Sequence, residues 1–505
     1  MRVRSTCLKA ILLTTAILAA APASAQTTLR IAVPLLTRHV GNPYAGVTLP
    51  SIIASVSVFD ALAVIDSKGQ VQPWLAKDWS SADGRVWRIK LRDDIKFANG
   101  KPLTARALVV GIAYMKSPAG LAETVASSLA GVESVTAVSD DEAEVRLKQP
   151  DATFAYRLAM WRVPEPDAWE AAMKGPAQPV GIGTGPFAFT TITPAVTSLK
   201  ANRASWHPPK VDALEVRVLP DGVARSQAVL AGAVDIAMGI SKTDADEIRA
   251  AGGSGQVRFT ARMPYFAFAT AHDEKSPIKD VRVRLAINYA VDREKIVRSM
   301  MPDGVKPTSQ LGMMGAVGYV SDLKPFPYDP ARARLLLKEA GYPNGIDLAM
   351  RMGSVDAGED AAYEQAAADM RAAGIRLEIR RTPSAQMTQL MFQGNLGVPL
   401  FTNFARGYDT LADYRFRSCF GETGKNKPYY CDPQTLELAK KAQASPDIAT
   451  ANNLMQQVTR WERDNPPGVI LWQGWTVDGI GPRVGNLDGY AAYSDYMELS
   501  RLTVR

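Results

Sequence analysis

The chain has 505 residues, with 58 Lys and Arg against 51 Asp and Glu and a formal charge of +7 at pH 7. The cations are scattered and interleaved with acids, which argues against a nucleic-acid surface and for an ordinary solvated one. Beyond the first residues no segment is long and apolar enough to read as a membrane span.

Arg2, Arg4 and Lys9 form a basic start, Ala10 to Ala21 an uncharged and mostly apolar run, and Ala23-Ser24-Ala25 the small-residue pattern that signal peptidase reads. The reading is a signal peptide over residues 1–25, cleaved after Ala25, and an exported periplasmic product. A membrane anchor is the competing reading, but the run is shorter than the roughly 20 residues a spanning helix needs. Cys7 precedes the run and cannot carry a lipid at the cleavage point. Removing residues 1–25 from 505 leaves 480. That exceeds the ~250–300 residues one core supports, so two large lobes are expected. Cys419 and Cys431 then remain, with Gly421, Gly424 and Pro428 between them. In an oxidising compartment such a pair reads as a disulfide. A metal site would want more sulfur or nearby histidine.

Strand-like and helix-like segments alternate without a fixed repeat, which predicts mixed α/β lobes. Val86 to Leu91 places Trp87, Ile89 and Leu91 on one face and Arg88 and Lys90 on the other, a half-buried strand. Asn99-Gly100 follows as a turn, and Thr104 is placed to cap a helix through Tyr114. Asp329 caps a helix that opens with Pro330 and ends at Gly341. Ile346 to Met352 reads as a strand, Ala361 to Ala373 as a helix stopped by Gly374, and Arg376 to Arg380 as an alternating strand. No Gly/Ser-rich or Pro-rich linker separates the lobes, so short ordered crossings join them.

Several motifs follow one another in order along the chain. Val58-Phe59-Asp60-Ala61-Leu62 leads to Pro73-Trp74-Leu75-Ala76, Trp79, and then Trp87-Arg88-Ile89-Lys90-Leu91-Arg92 through Phe97, Gly100 and Pro102 to Ala105. Gly183-Thr184-Gly185-Pro186-Phe187, Leu230 to Ile236, Asp280 to Arg293 and Tyr328 to Pro343 come later. Together they resemble the extracytoplasmic solute-binding proteins of family 5, the peptide/nickel/opine class that serves ABC importers. The resemblance spans essentially the whole mature chain. It implies an α/β fold of the two-lobe periplasmic-binding-protein clamp, class II-like and of cluster C, with an extra subdomain inserted in lobe I. Lobe I would comprise about 26–65, 185–263 and 482–505, the insertion 66–184, and lobe II 264–481. Chain crossings near Met263 to Thr270 and Val477 to Val484 would form the hinge. The implied protein is a monomer that is not an enzyme and needs no cofactor. It captures a peptide or other amino-acid-conjugate solute by closure and hands it to an inner-membrane permease pair with cytoplasmic ATPases. An opine, glycoside or metal-chelate cargo is the alternative, and an exported peptide-holding chaperone is the alternative class.

No Gly-x-Ser-x-Gly elbow or His-Glu-x-x-His helix occurs, and His39, His207 and His272 are the only histidines, so hydrolase and metal-cage readings have little material. Gly181-Ile182-Gly183-Thr184-Gly185 lacks nucleotide-loop spacing. Binding is therefore sought among polar and aromatic residues. Arg38, His39 and Asn42 follow the first strand, where the family places a ligand-facing loop; a solvated loop is the other reading. Arg162 resembles the arginine with which nickel-binding relatives hold a chelator's carboxylates, against the plain reading of a surface arginine. Tyr265 and Phe268 lie at the expected first crossing, although a buried strand shows the same alternation. In peptide-binding relatives a Trp and then an Asp hold the ligand's amino group. Here the chain reads Asn403-Phe404-Ala405-Arg406-Gly407-Tyr408-Asp409, with Phe404 in place of the Trp and Arg406-Gly407 where the Asp is expected. Asn403, Phe404, Arg406, Tyr408 and Asp409 are thus the candidates in lobe II. A cation at this place points to a cargo with a carboxylate or phosphate.

Overall fold

A computed structural model describes residues 26–174, 180–271, 275–353, 359–406, 409–421, 428–490 and 496–505. Its first strand, β1 (Thr28–Val33), is followed by a helix at Leu49–Val56. The chain then runs out into an antiparallel sheet of β2 (Ala76–Ser81), β3 (Val86–Leu91), β4 (Val132–Ala137) and β5 (Glu142–Leu147), in the order β2-β3-β5-β4. It returns with β6 (Phe187–Ile192), β7 (Val196–Ala201), β8 (Ala213–Val218), β9 (Ile236–Ile240) and β10 (Ser254–Phe259). Two residues later it enters a second lobe with β11 (Arg262–Phe268), β12 (Ile346–Met352), β13 (Ile375–Arg381), β14 (Leu400–Arg406) and β15 (Gly468–Ile470). It comes back as β16 (Trp475–Ile480). The first-lobe sheet has the order β10-β16-β9-β1-β8-β7-β6, and the second-lobe sheet β13-β12-β14-β11-β15.

These pairings move the hinge relative to the expected limits. β11 pairs with β14 along its whole length, so Met263 to Phe268 already belong to the second sheet; the crossing is at Thr260 and Ala261. β16 pairs with β9 and β10, so Trp475 to Ile480 belong to the first lobe, and the return crossing is at 471–474 instead of Val477 to Val484. Alternation reveals a strand but not which sheet it joins. The local signals fare better. On β3, Trp87, Ile89 and Leu91 are buried while Arg88 and Lys90 are exposed. Asp329 accepts from the Arg332 amide at 2.8 Å, and Pro330 opens the helix Pro330–Glu339. Thr104 departs from expectation. It occupies the cap position of the helix Ala105–Lys116 without a side-chain bond; its carbonyl takes the Ala107 amide, and the Asp140 carbonyl takes that of Ala105.

One apolar core runs continuously from β1, β8 and β9 into the inserted sheet, including Leu29, Ile31, Ile89, Val145, Leu214 and Ile236. The second lobe has its own core around Phe266, Phe268, Met350, Leu400 and Trp472. The insertion is fastened by Asp60, which is 1% exposed. Its carboxylate accepts from Trp74 Nε1 at 2.9 Å, Thr184 Oγ1 at 2.7 Å and Trp206 Nε1 at 3.0 Å, with His207 Nε2 at 3.1 Å. Thr184 is held there because its neighbour Gly183 passes so close to Val58 that a Cβ would overlap the Val58 carbonyl oxygen. A disulfide joins Cys419 to Cys431, with Cα atoms 5.5 Å apart.

Candidate functional site

In the second lobe β12, β13 and β14 are parallel, and β11 runs against β14 with Arg262 opposite Arg406. The carboxyl ends of three strands and the start of a fourth therefore share one edge. Ligands in open α/β sheets bind outside such an edge, because loops and helix N-termini converge there. Thr402 braces it, donating to the Gly353 carbonyl at 2.6 Å and accepting from the Gly353 amide at 2.9 Å. Glu359, first residue of the helix Glu359–Ala372 and 5% exposed, receives both terminal nitrogens of Arg262. The Arg262 guanidinium lies 4.9 Å from the centre of the Phe404 ring, which remains 38% exposed. An exposed aromatic in a central strand, backed by a neutralised cation, is a platform ready to meet another molecule.

The opposite face of the same strands is closed. Asn403 donates to the Tyr429 hydroxyl at 3.0 Å, and Tyr429 meets the Tyr265 hydroxyl at 2.7 Å. Burial, with the Tyr429 hydroxyl and Asp413 beside it, holds the Tyr265 phenol well above its usual range. Phe268 is fully buried in the second core. Asp409 is 4% exposed and caps the helix Thr410–Arg417, accepting from the Leu411 amide at 3.0 Å and the Ala412 amide at 3.2 Å. Burial raises its pKa, outweighing the nearby Arg415. For Arg406 the backbone is described and the side chain is not; Gly407 and Tyr408 lie outside the described residues, as does His272.

In the first lobe β1, β8 and β9 are parallel and present their carboxyl ends together. Arg225, 4% exposed, ties two of those ends, donating to Leu219 O at 2.7 Å and Met238 O at 2.9 Å. The loop after β1 is held from both sides. His39 Nδ1 lies 3.1 Å from Glu123 Oε1, and Asn42 donates to the same oxygen and to the Tyr114 hydroxyl, each at 2.9 Å. Arg162, 5% exposed, donates to Pro43 O at 2.9 Å and Gly46 O at 3.1 Å. The surface-arginine reading of Arg162 thus fails: burial and two carbonyls give it a scaffolding contact in this loop. Arg38 is exposed.

The structure therefore brings His39, Asn42 and Arg162 together around one loop, and Tyr265 and Asn403 around Tyr429. Phe404 and Phe268 share the other strand face, one exposed and one in the core. Arg262, Glu359 and Tyr429 escape sequence reading, since each meets its partner across a long stretch of chain.

The model of the bacterial extracellular solute-binding proteins, family 5 Middle, matches residues 70–426. The nickel-binding periplasmic protein of Escherichia coli (strain K12) is 26% identical over 419 residues, covering 78% of each chain. The glutathione-binding protein GsiB of the same strain is 27% identical over 314 residues, and the match spans 60% of each chain. NikA from Brucella suis, solved in complex with Fe(III)-EDTA, superposes with a TM-score of 0.78 at 23% identity, covering 95% of this chain and 100% of that one. With the family model matching most of the sequence over a two-lobe α/β architecture, the chain belongs to the bacterial extracellular solute-binding proteins of family 5, the solute-capturing components of ABC importers.

Proposed function

We propose that this chain is exported, loses residues 1–25, and works in the periplasm as a monomeric, non-catalytic binding protein for a peptide-like or other amino-acid-conjugate solute bearing an anionic group. The observation that carries the reading is the carboxyl edge of the second-lobe sheet. Phe404 is exposed there against the Arg262 guanidinium, whose charge Glu359 neutralises. The register sets Arg406 directly opposite Arg262. Like charges at directly opposed positions repel, so an anionic group is favoured at this end of the strand pair. In this reading Arg406 receives a carboxylate or phosphate of the cargo, which a guanidinium fork holds with two parallel bonds. The relatives support this chemistry: glutathione, named for one, and EDTA, bound to the other, both carry carboxylates. No helix among the described residues is long and apolar enough to cross a membrane.

Capture proceeds by closure about the two crossings. The cargo binds one lobe and stabilises the closed clamp by its differential affinity for it. The closed form then docks on a permease pair whose cytoplasmic ATPases drive uptake. A metal chelate is the second reading, favoured by the nickel-binding relative; a carboxylate-bearing chelator would use the same edge.

Mass spectrometry of solute copurified from native cells identifies the cargo, and calorimetry with that solute tests the site. Truncating one partner of a buried charged pair costs about 2–5 kcal/mol, so Arg406→Ala is expected to weaken binding well over tenfold. Arg406→Lys recovers only part, because the fork is lost. Wild-type affinity in Arg406→Ala, or a cargo without an anionic group, refutes the reading.

A further inference from the structure

The two lobes also touch each other directly, away from the crossings. Asp151, in the insertion, is held by Arg157 of its own subdomain and accepts from the Thr153 amide at 3.1 Å and hydroxyl at 2.8 Å. The Asp151 oxygen that meets Arg157, Oδ2, also accepts from Arg415 Nη1 of the second lobe at 3.0 Å. Arg415 in turn lies 4.0 Å from Asp409, at the other end of its helix. The side chains are 3% (Asp151), 14% (Arg157), 20% (Arg415) and 6% (Asp409) exposed, so all four are withdrawn from most of their water where the lobes meet. The contact extends around them. Tyr156 packs against the second-lobe cluster of Val317, Leu411 and Tyr414. Gly315 sits so close to the insertion that a Cβ would overlap the Lys68 carbonyl oxygen, at a φ of +84° suited to glycine.

We propose that Asp151, Arg157, Arg415 and Asp409 form a latch that holds the clamp closed without cargo. Two carboxylates and two guanidiniums balance in charge. All four side chains keep a partner on their own side when the lobes part: Asp151 keeps Arg157, Asp409 keeps the amides of its helix, and Arg415 keeps Asp409 and the Gln443 Oε1 at 3.4 Å. Opening exchanges the Arg415–Asp151 pair for water. Buried ion pairs recover in Coulomb attraction about what desolvation takes from them. Such a contact is suited to keeping open and closed states near balance, where a cargo of modest differential affinity decides between them. Asp409 follows β14 by three residues, so the latch lies on the same chain segment as Phe404 and Arg406. Arg415 acts here as a positioning residue, through the lobes and not on the cargo.

The test needs no cargo and therefore stands apart from the identity of the solute. Val138 of the insertion and Leu335 of the second lobe are exposed, and Val138→Cys with Leu335→Cys provides a dye pair in protein unfolded, stripped of solute and refolded. Single-molecule energy transfer should show a populated closed state in this background. Adding Arg415→Gln should lower the closed-to-open ratio at least tenfold, less than the full loss of a buried pair because Asp151 keeps Arg157. Arg415→Met, which keeps the aliphatic stem, should do the same, and Arg415→Lys should recover part. Melting curves identify any variant that fails to fold, and the remaining ones decide. An unchanged distance distribution in the folded Arg415 variants, or a solute-free background protein that is wholly open, overturns the latch.

Discussion

Asp60→Ala tests what holds the insertion to the first lobe. The substitution removes one acceptor and strands four donors. Trp74 Nε1, Thr184 Oγ1 and the His207 ring lie in fully or nearly fully buried side chains, whereas Trp206 is half-buried. Each buried donor left without an acceptor costs about 1–3 kcal/mol, and the loss of one member of a buried charged cluster about 3–5 kcal/mol. Because all four donors share one carboxylate their losses overlap, and about 4 kcal/mol is the expected total. For units of about 150–250 residues each kcal/mol moves the melting temperature by about 2–4 °C, giving a shift of about 8–16 °C. Scanning calorimetry of the mature protein is the assay. The lobes have separate cores, so they need not melt as one two-state unit. The transition of the first lobe should fall while that of the second stays. A shift under about 3 °C, or an equal fall in both transitions, would refute the reasoning, since the carboxylate would then not anchor the insertion.

Acid should reach the same group. Burial alone would raise the pKa of Asp60, but the charge and hydrogen bond of His207 and the bonds from Trp74 and Thr184 outweigh it and leave the value below the usual 3.8. A depressed carboxylate contributes stability above its unfolded pKa and loses it as pH falls through the folded one. The stability gap between wild type and Asp60→Asn should therefore narrow below pH 3.8 in denaturant titrations, and a gap that stays constant there speaks against the assignment. The Cys419–Cys431 disulfide should leave no free thiol in the folded, non-reduced mature protein, and its reduction should cost about 3 kcal/mol in the chain-entropy model. Stoichiometric thiol labelling of that protein without reductant would contradict the bond.

Much of the fold is legible in the sequence because local rules act locally. The 2-residue alternation of β3, the Asp329-Pro330 start of the helix Pro330–Glu339 and the strand Ile346–Met352 need nothing beyond their own neighbourhood. The hinge limits are legible only to within several residues. β16 reads as a strand from its sequence, but its membership of the first-lobe sheet depends on β9 and β10, whose pairing residues are more than 200 positions away. Thr104 shows the same limit at small scale, where its own carbonyl takes the Ala107 amide that a side-chain cap would use.

The site is less legible for a further physical reason. The motifs that announce the family here are spent on architecture: Asp60, Trp74 and Thr184 meet in the carboxylate cluster that fixes the insertion, far apart in sequence and buried in space. Residues bound into such a cluster tolerate little change, so they write a clear pattern. A cleft wall that must fit one cargo obeys no comparable local rule. The setting of Phe404 shows only in space, through the Arg262 guanidinium behind it and the Glu359 carboxylate behind that. Those partners arrive from another strand and from a helix start. Sequence therefore identifies the family by its frame, and the proposed cargo surface emerges only when the sheet edge assembles residues that no spacing connects.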